Sequence, residues 1–192
     1  MNKEFPIFTL CLLAISGSSD EAAADEQLYS QYEPTPVFPV GRANPEAPAE
    51  IGQFDFLVGS FSCESELFVP SRSEFVALAT RWTAQYVLNG WAIQDKTWNS
   101  ALSATSIRIF NAKSGQWEVT FFMQPYGQTG VWRGGRVRDE MVLTKAMEDG
   151  DGAFTSRLTF SDISDSGFNW ISEYVRDGKV FHTTWKIDCK RD

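Results

Sequence analysis

Residues 168–189 read Phe-Asn-Trp-Ile-Ser-Glu-Tyr-Val-Arg-Asp-Gly-Lys-Val-Phe-His-Thr-Thr-Trp-Lys-Ile-Asp-Cys. Phe168, Trp170, Ser172 and Tyr174 alternate with Asn169, Ile171, Glu173 and Val175. After Asp177-Gly178, Phe181, Thr183, Trp185, Ile187 and Cys189 alternate with His182, Thr184, Lys186 and Asp188. A period of two over this length is the pattern of a half-buried strand, because successive side chains point to opposite faces. Asp-Gly between two such runs supplies the positive backbone angles of a tight hairpin turn. The stretch therefore predicts two antiparallel strands.

Working outward, the same pattern repeats. Trp117, Val119, Phe121 and Met123 alternate with Glu118, Thr120 and Phe122. Asn89-Gly90 joins a run over 81–88 to one over 91–99 and is the strongest hairpin signal in the chain. Turn residues cluster again at 111–115, 149–152 and 165–167. Ten strands are predicted, near 57–67, 79–88, 91–99, 105–111, 116–123, 130–137, 140–147, 154–163, 168–176 and 180–189. Short turns between all of them make an antiparallel up-and-down meander. Left open, so long a meander would expose two apolar edges, and closure into a barrel removes them. The expected fold is all-β, a barrel of about ten strands, with a short helical turn in 52–59 plugging its base.

The cysteines agree with closure. Cys63 lies on the first predicted strand and Cys189 on the last, which become neighbours in a closed barrel. A Cys63–Cys189 disulfide is expected, with two unpaired buried thiols as the alternative. Closing so long a loop stabilises a fold by roughly 4 kcal/mol in the chain-entropy model.

The chain before residue 51 has a different character. Residues 1–19 carry Lys3, an apolar run from Ile7 to Ile15, then small residues, in the order of a secretory signal peptide. Phe8-Thr9-Leu10 before Cys11 does not make a lipoprotein box. Residues 20–50 hold five of the eight prolines and seven carboxylates against Arg42 alone. Such sequence buries too little to offset its ordering entropy and predicts a disordered acidic linker. Docking on the barrel through Tyr29, Tyr32, Val37, Phe38 and Val40 is the alternative. The barrel domain is placed at 51–192. Its 17 acidic and 15 basic residues nearly balance, so the formal charge of -8 resides mainly in the linker. The expected location is secreted or periplasmic. No basic face points to nucleic acid, and no later run is long enough to span a membrane. A monomer or weak dimer is expected.

Phe54-Asp55-Phe56-Leu57-Val58-Gly59-Ser60-Phe61 resembles the F-D-F-L-x-G-x-W opening motif of a bacterial protein family of unknown function. Tyr86-Val87-Leu88-Asn89-Gly90-Trp91 and the stretch Ile107 to Trp117 continue that resemblance, which covers most of 51–190. Phe61 stands where the family has Trp. The family is similar to calycin-type barrels, the lipocalins and nitrobindins among them. The resemblance implies the barrel and no activity.

An interior of this size can hold a small hydrophobic molecule. Trp82, Tyr86, Trp117, Phe121, Trp170, Tyr174 and Trp185 are the candidate pocket aromatics, with Trp98 and Trp132 as weaker ones. Most inward aromatics are simply core. Among strand charges Arg108, Arg133, Asp95 and Glu173 are the candidates for the interior, and an inward Arg–carboxylate pair marks a site; Asp95, which shares a face with Trp91 and Ile93, is the better carboxylate. Glu173 falls on the outer face by parity. An enzyme on the same scaffold, or a scaffold that only presents an interaction surface, are the competing readings. No catalytic residue is assigned: His182 is the only histidine, so a Ser or Cys nucleophile has no second candidate base. No metal set and no cofactor is expected. Against haem, Phe181, Trp185 and Ile187 take the apolar face and turn His182 outward, and the nitrobindin W-x-G pattern is absent after Val58.

Overall fold

The computed structural model describes residues 30–192. The expected signal segment, and the linker as far as residue 29, lie outside the described residues. A 3-10 helix at Ala49–Leu57 leads into ten strands. These are β1 (Gly59–Val69), β2 (Glu74–Val87), β3 (Ala92–Trp98), β4 (Ser103–Asn111), β5 (Gln116–Gln124), β6 (Gln128–Val137), β7 (Glu140–Asp149), β8 (Gly152–Ser164), β9 (Gly167–Arg176) and β10 (Lys179–Arg191). Each strand pairs antiparallel with the next, and β1 pairs with β10 to close the barrel. The alternation of apolar and polar residues thus does what it predicts. The largest boundary difference is at β2, which starts at Glu74 rather than 79.

The seam is covalent. Cys63 and Cys189 sit directly opposite each other in the β1–β10 ladder and form a disulfide. Both face inward with Phe61 and Ile187, which are buried.

The helix closes one end. A 3-10 helix has three residues per turn, so positions three apart fall on one face. Ile51, Phe54 and Leu57 have that spacing, and they are the residues the helix buries. Phe54 meets Trp117 edge-to-face at 4.8 Å and Phe160 at 5.6 Å. Phe56, Phe61 and Trp82 all pack on Phe168. Such pairs add roughly 0.5–1.5 kcal/mol each beyond their burial. Arg191, at the end of β10, donates to the carbonyls of Phe56 and Val58 and ties the plug to the last strand.

Residues 32–50 depart from the expected solvated linker. They lie against the β2–β3 hairpin at the plugged end. The Tyr86 N–H donates to the Val40 carbonyl at 2.8 Å, and the Asn44 N–H donates to the Gly90 carbonyl at 3.1 Å. The Tyr32 N–H donates to Asn89 Oδ1, and the Glu33 carboxylate accepts from the Asn89 N–H. The reason is backbone accounting: the hairpin end leaves peptide groups outside the ladder, and this arm supplies their partners. Gly90, at φ +78°, is required twice, since a Cβ there would stand 2.4 Å from the Arg42 carbonyl oxygen.

Candidate functional site

The inner wall changes character with height. Next to the plug it is sealed: Phe61, Trp117, Met141, Leu143, Phe160 and Phe168 are buried. At mid-height the buried inner residues turn polar, with Ser65, Thr80, Asp95, Thr97, Ser106, Ser156 and Ser172. Ser65 and Thr80 share a hydrogen bond of 2.7 Å, and Thr184 donates to Ser172 at 2.8 Å. Beyond this belt the inward residues Leu67, Phe121, Met123, Trp132 and Tyr174 are only partly buried. Solvent therefore reaches the inner wall from the end opposite the helix.

The structure distributes the sequence candidates over these levels. Trp117 and Tyr86 belong to the plug. Trp117 donates its indole N–H to Gln53 at 3.0 Å, and the Tyr86 hydroxyl donates to the Asp55 carboxylate. Burial first, then the Asp55 carboxylate, hold the Tyr86 phenol well above its ordinary range. Trp82, Trp170 and Trp185 form a chain above the plug, with ring centres 6.1 Å and 5.4 Å apart. Phe121 packs edge-to-face on Trp132 at 5.7 Å. Tyr174 lies at the open end with Phe154 and Phe181. Trp98 faces outward and is 40% exposed, so it takes no part.

Asp95, the carboxylate expected to face inward, meets Arg108 rather than Arg133. Arg108 Nη1 lies 2.6 Å from Asp95 Oδ2, and both side chains are buried. The other Asp95 oxygen accepts from the Ser106 N–H and hydroxyl, at 2.9 Å and 2.6 Å. The guanidinium sits over the rings of Phe54 and Phe160, at 5.2 Å and 5.7 Å. A buried pair needs such extra partners to offset its desolvation. This one forms the floor between plug and interior. Glu173, by contrast, pairs with Arg157, and Arg133 pairs with the Glu118 carboxylate on the exposed surface.

His182 is placed differently from the parity expectation. The β9–β10 ladder shifts register between Val180 and His182 and again between Thr183 and Trp185. Each bulge adds one residue and resets which face the next side chain takes. His182 consequently stands opposite Tyr174 and shares its face, with its ring edge-on to Phe68 at 4.6 Å. Phe181, expected on the apolar face, is 48% exposed.

Sequence reasoning missed Lys145. It follows Met141 and Leu143 at a spacing of two, which places it on the inner face, opposite Ser156 of β8. Its ammonium lies 5.0 Å from the centre of the Trp132 ring. The Trp132 indole N–H donates to Ser156 at 3.2 Å. The signal was in the alternation of β7, hidden by the habit of placing strand charges outside.

Two depressions lie on the outer wall. One of about 510 Å³ includes Glu64, Glu66, Asn169, Lys186 and Asp188; one of about 330 Å³ includes Lys96, Trp98, Thr105 and Phe122. Both consist mainly of outward-facing residues, and Lys186 in the first is paired with Glu66. Among the described residues no group of His, Cys, Asp and Glu could hold a metal ion. No helix among them is long and apolar enough to cross a membrane. No family model and no curated protein matches the chain.

Proposed function

We propose that this protein binds a small, mostly apolar molecule inside its barrel, admitted at the end opposite the 3-10 helix. The observation that carries the reading is the one-sided exposure of the inner wall. Phe61, Trp117 and Phe160 are sealed at one end, while Phe121, Met123 and Tyr174 are only partly buried at the other. Apolar side chains facing inward yet wetted lose burial that a ligand restores, at about 25 cal/mol per Å² covered. A barrel of eight strands is just filled by its own side chains or holds one small ligand, and ten strands enclose more.

Secretion is part of this proposal. A disulfide and the absence of a membrane-spanning helix among the described residues are compatible with an oxidising compartment outside the cytoplasm. The order of residues 1–19 supplies the route.

Native mass spectrometry of the purified protein, before and after denaturing extraction, gives the first test. Titration with the neutral dye N-phenyl-1-naphthylamine gives the second. The expected result is saturable binding of one dye per barrel with quenching of tryptophan emission. No co-purifying mass together with no saturable dye binding overturns the proposal.

A further inference from the structure

We infer that the ligand of this interior is a small organic anion, with its charged group at Lys145 and its apolar body along the aromatic wall. The inference rests on the binding reading above and deepens it.

The first observation is the sign of the unmet polar groups. The buried side-chain polar atoms without a hydrogen bond among the described residues are the indole nitrogens of Trp82 and Trp185, two guanidinium nitrogens of Arg108 and one of Arg176. Every one is an N–H donor. Arg108 Nη1 has its ion contact with Asp95, but Arg108 Nε and the two indoles have nothing. Burying a donor without an acceptor costs about 1–3 kcal/mol. The sealed wall around the interior is thus rich in donors and electropositive, which favours a ligand that carries acceptors.

The second observation is charge. Asp95 and Arg108 cancel each other on the floor. At the rim Arg176 is paired with Asp149, and that ion pair holds the Asp149 carboxyl below its ordinary range. Lys145 alone on the inner face has no carboxylate partner among the described residues. Its neighbours are the Trp132 ring and, across the ladder, Ser156. An ammonium against an indole face is attracted by the ring quadrupole, yet its donors stay free for an anion.

The third observation is that the backbone makes room for this arrangement. A Cβ on Gly130 would stand 2.7 Å from the Lys145 ammonium nitrogen and 2.8 Å from the Trp132 ring. Glycine at 130 leaves room for the amine and the indole side by side on that part of the inner wall; a larger residue would push one of them aside. Trp132 and Phe121 beside it offer flat apolar surface, which fits a planar body.

The test compares two probes that differ by one sulfonate: 1-anilinonaphthalene-8-sulfonate and the neutral N-phenyl-1-naphthylamine. Both are titrated into the full chain, into Lys145→Gln and into Lys145→Arg, with far-UV circular dichroism confirming the fold. The wild type is expected to bind the sulfonate more tightly than the neutral dye. Lys145→Gln should weaken the sulfonate by roughly tenfold to a hundredfold and leave the neutral dye unchanged. Lys145→Arg should restore most of the difference, and added salt should weaken only the sulfonate. Equal affinity of the wild type for both dyes overturns the anion inference, leaves the binding proposal standing, and needs no variant. Equal loss of both dyes in Lys145→Gln overturns it as well. Binding of neither dye to the wild type overturns the binding proposal itself.

Discussion

Phe54, Phe160 and Trp117 are buried at the end of the barrel closed by the helix, whereas the inward Phe121, Met123 and Tyr174 stay partly wetted at the other. Apart from the bulges of β8 and β10, strand alternation runs through both halves. What separates them is a cover: nine residues of 3-10 helix and the arm at 32–50 on one side, loops alone on the other. Alternation thus decides which side chains face inward, and only tertiary cover decides whether they become core or wall.

That contrast can be broken first at the seam. Cys63→Ser with Cys189→Ser should cost about 4–5 kcal/mol in the chain-entropy model, read as a lower denaturation midpoint with the slope checked for residual structure. A loss below about 1 kcal/mol would mean the barrel closes well without its bond. Next is the plug. Phe54→Ala should cost about 3–5 kcal/mol by urea titration, and Met123→Ala at the open end about 1–2 kcal/mol. Equal losses would mean that the two ends are packed alike. Gly90→Ala should cost about 1–3 kcal/mol, because φ is positive there and the added methyl displaces the arm. Hydrogen exchange of Tyr86 and Asn44 should rise with it.

Smaller effects follow from titration. The Tyr86 phenol is raised above the ordinary 10.0, so its contribution is whole below pH 10 and is lost as pH rises through the folded value. Tyr86→Phe should flatten the stability curve above pH 10 and cost about 1 kcal/mol at neutral pH. Asp149 and Asp192 shift the other way, lowered chiefly by hydrogen bonds from Arg176 and Ser62. Their contribution is present above the ordinary value of 3.8 and is lost as pH falls through the lower folded values. Arg176→Ala should remove the Asp149 part, the smallest change expected, visible in carboxyl titration by NMR.

Much of this was legible in the sequence. Period two, Asn89-Gly90, Asp177-Gly178 and the edge problem lead to ten strands and closure, and Cys63 with Cys189 marks the seam. The inward face of Asp95 was legible from parity; its pairing with Arg108 rather than Arg133 was not. Height along the barrel was not, since alternation reports a face and no depth; Trp117 and Tyr86 therefore looked like pocket and are plug. His182 escaped because two bulges reset the face count along β10. The arm at 32–50 escaped because backbone groups hold it, and composition does not display those.

The bond between Cys63 and Cys189 spans 126 positions and turns that part of the chain into a loop without ends. A single cut by a protease in any turn between those residues leaves one covalent molecule. The wetted end, where loops such as those at 70–73, 125–127 and 177–178 stand, can be opened at one point without releasing either fragment. A nicked form would run at full mass on a gel until it is reduced.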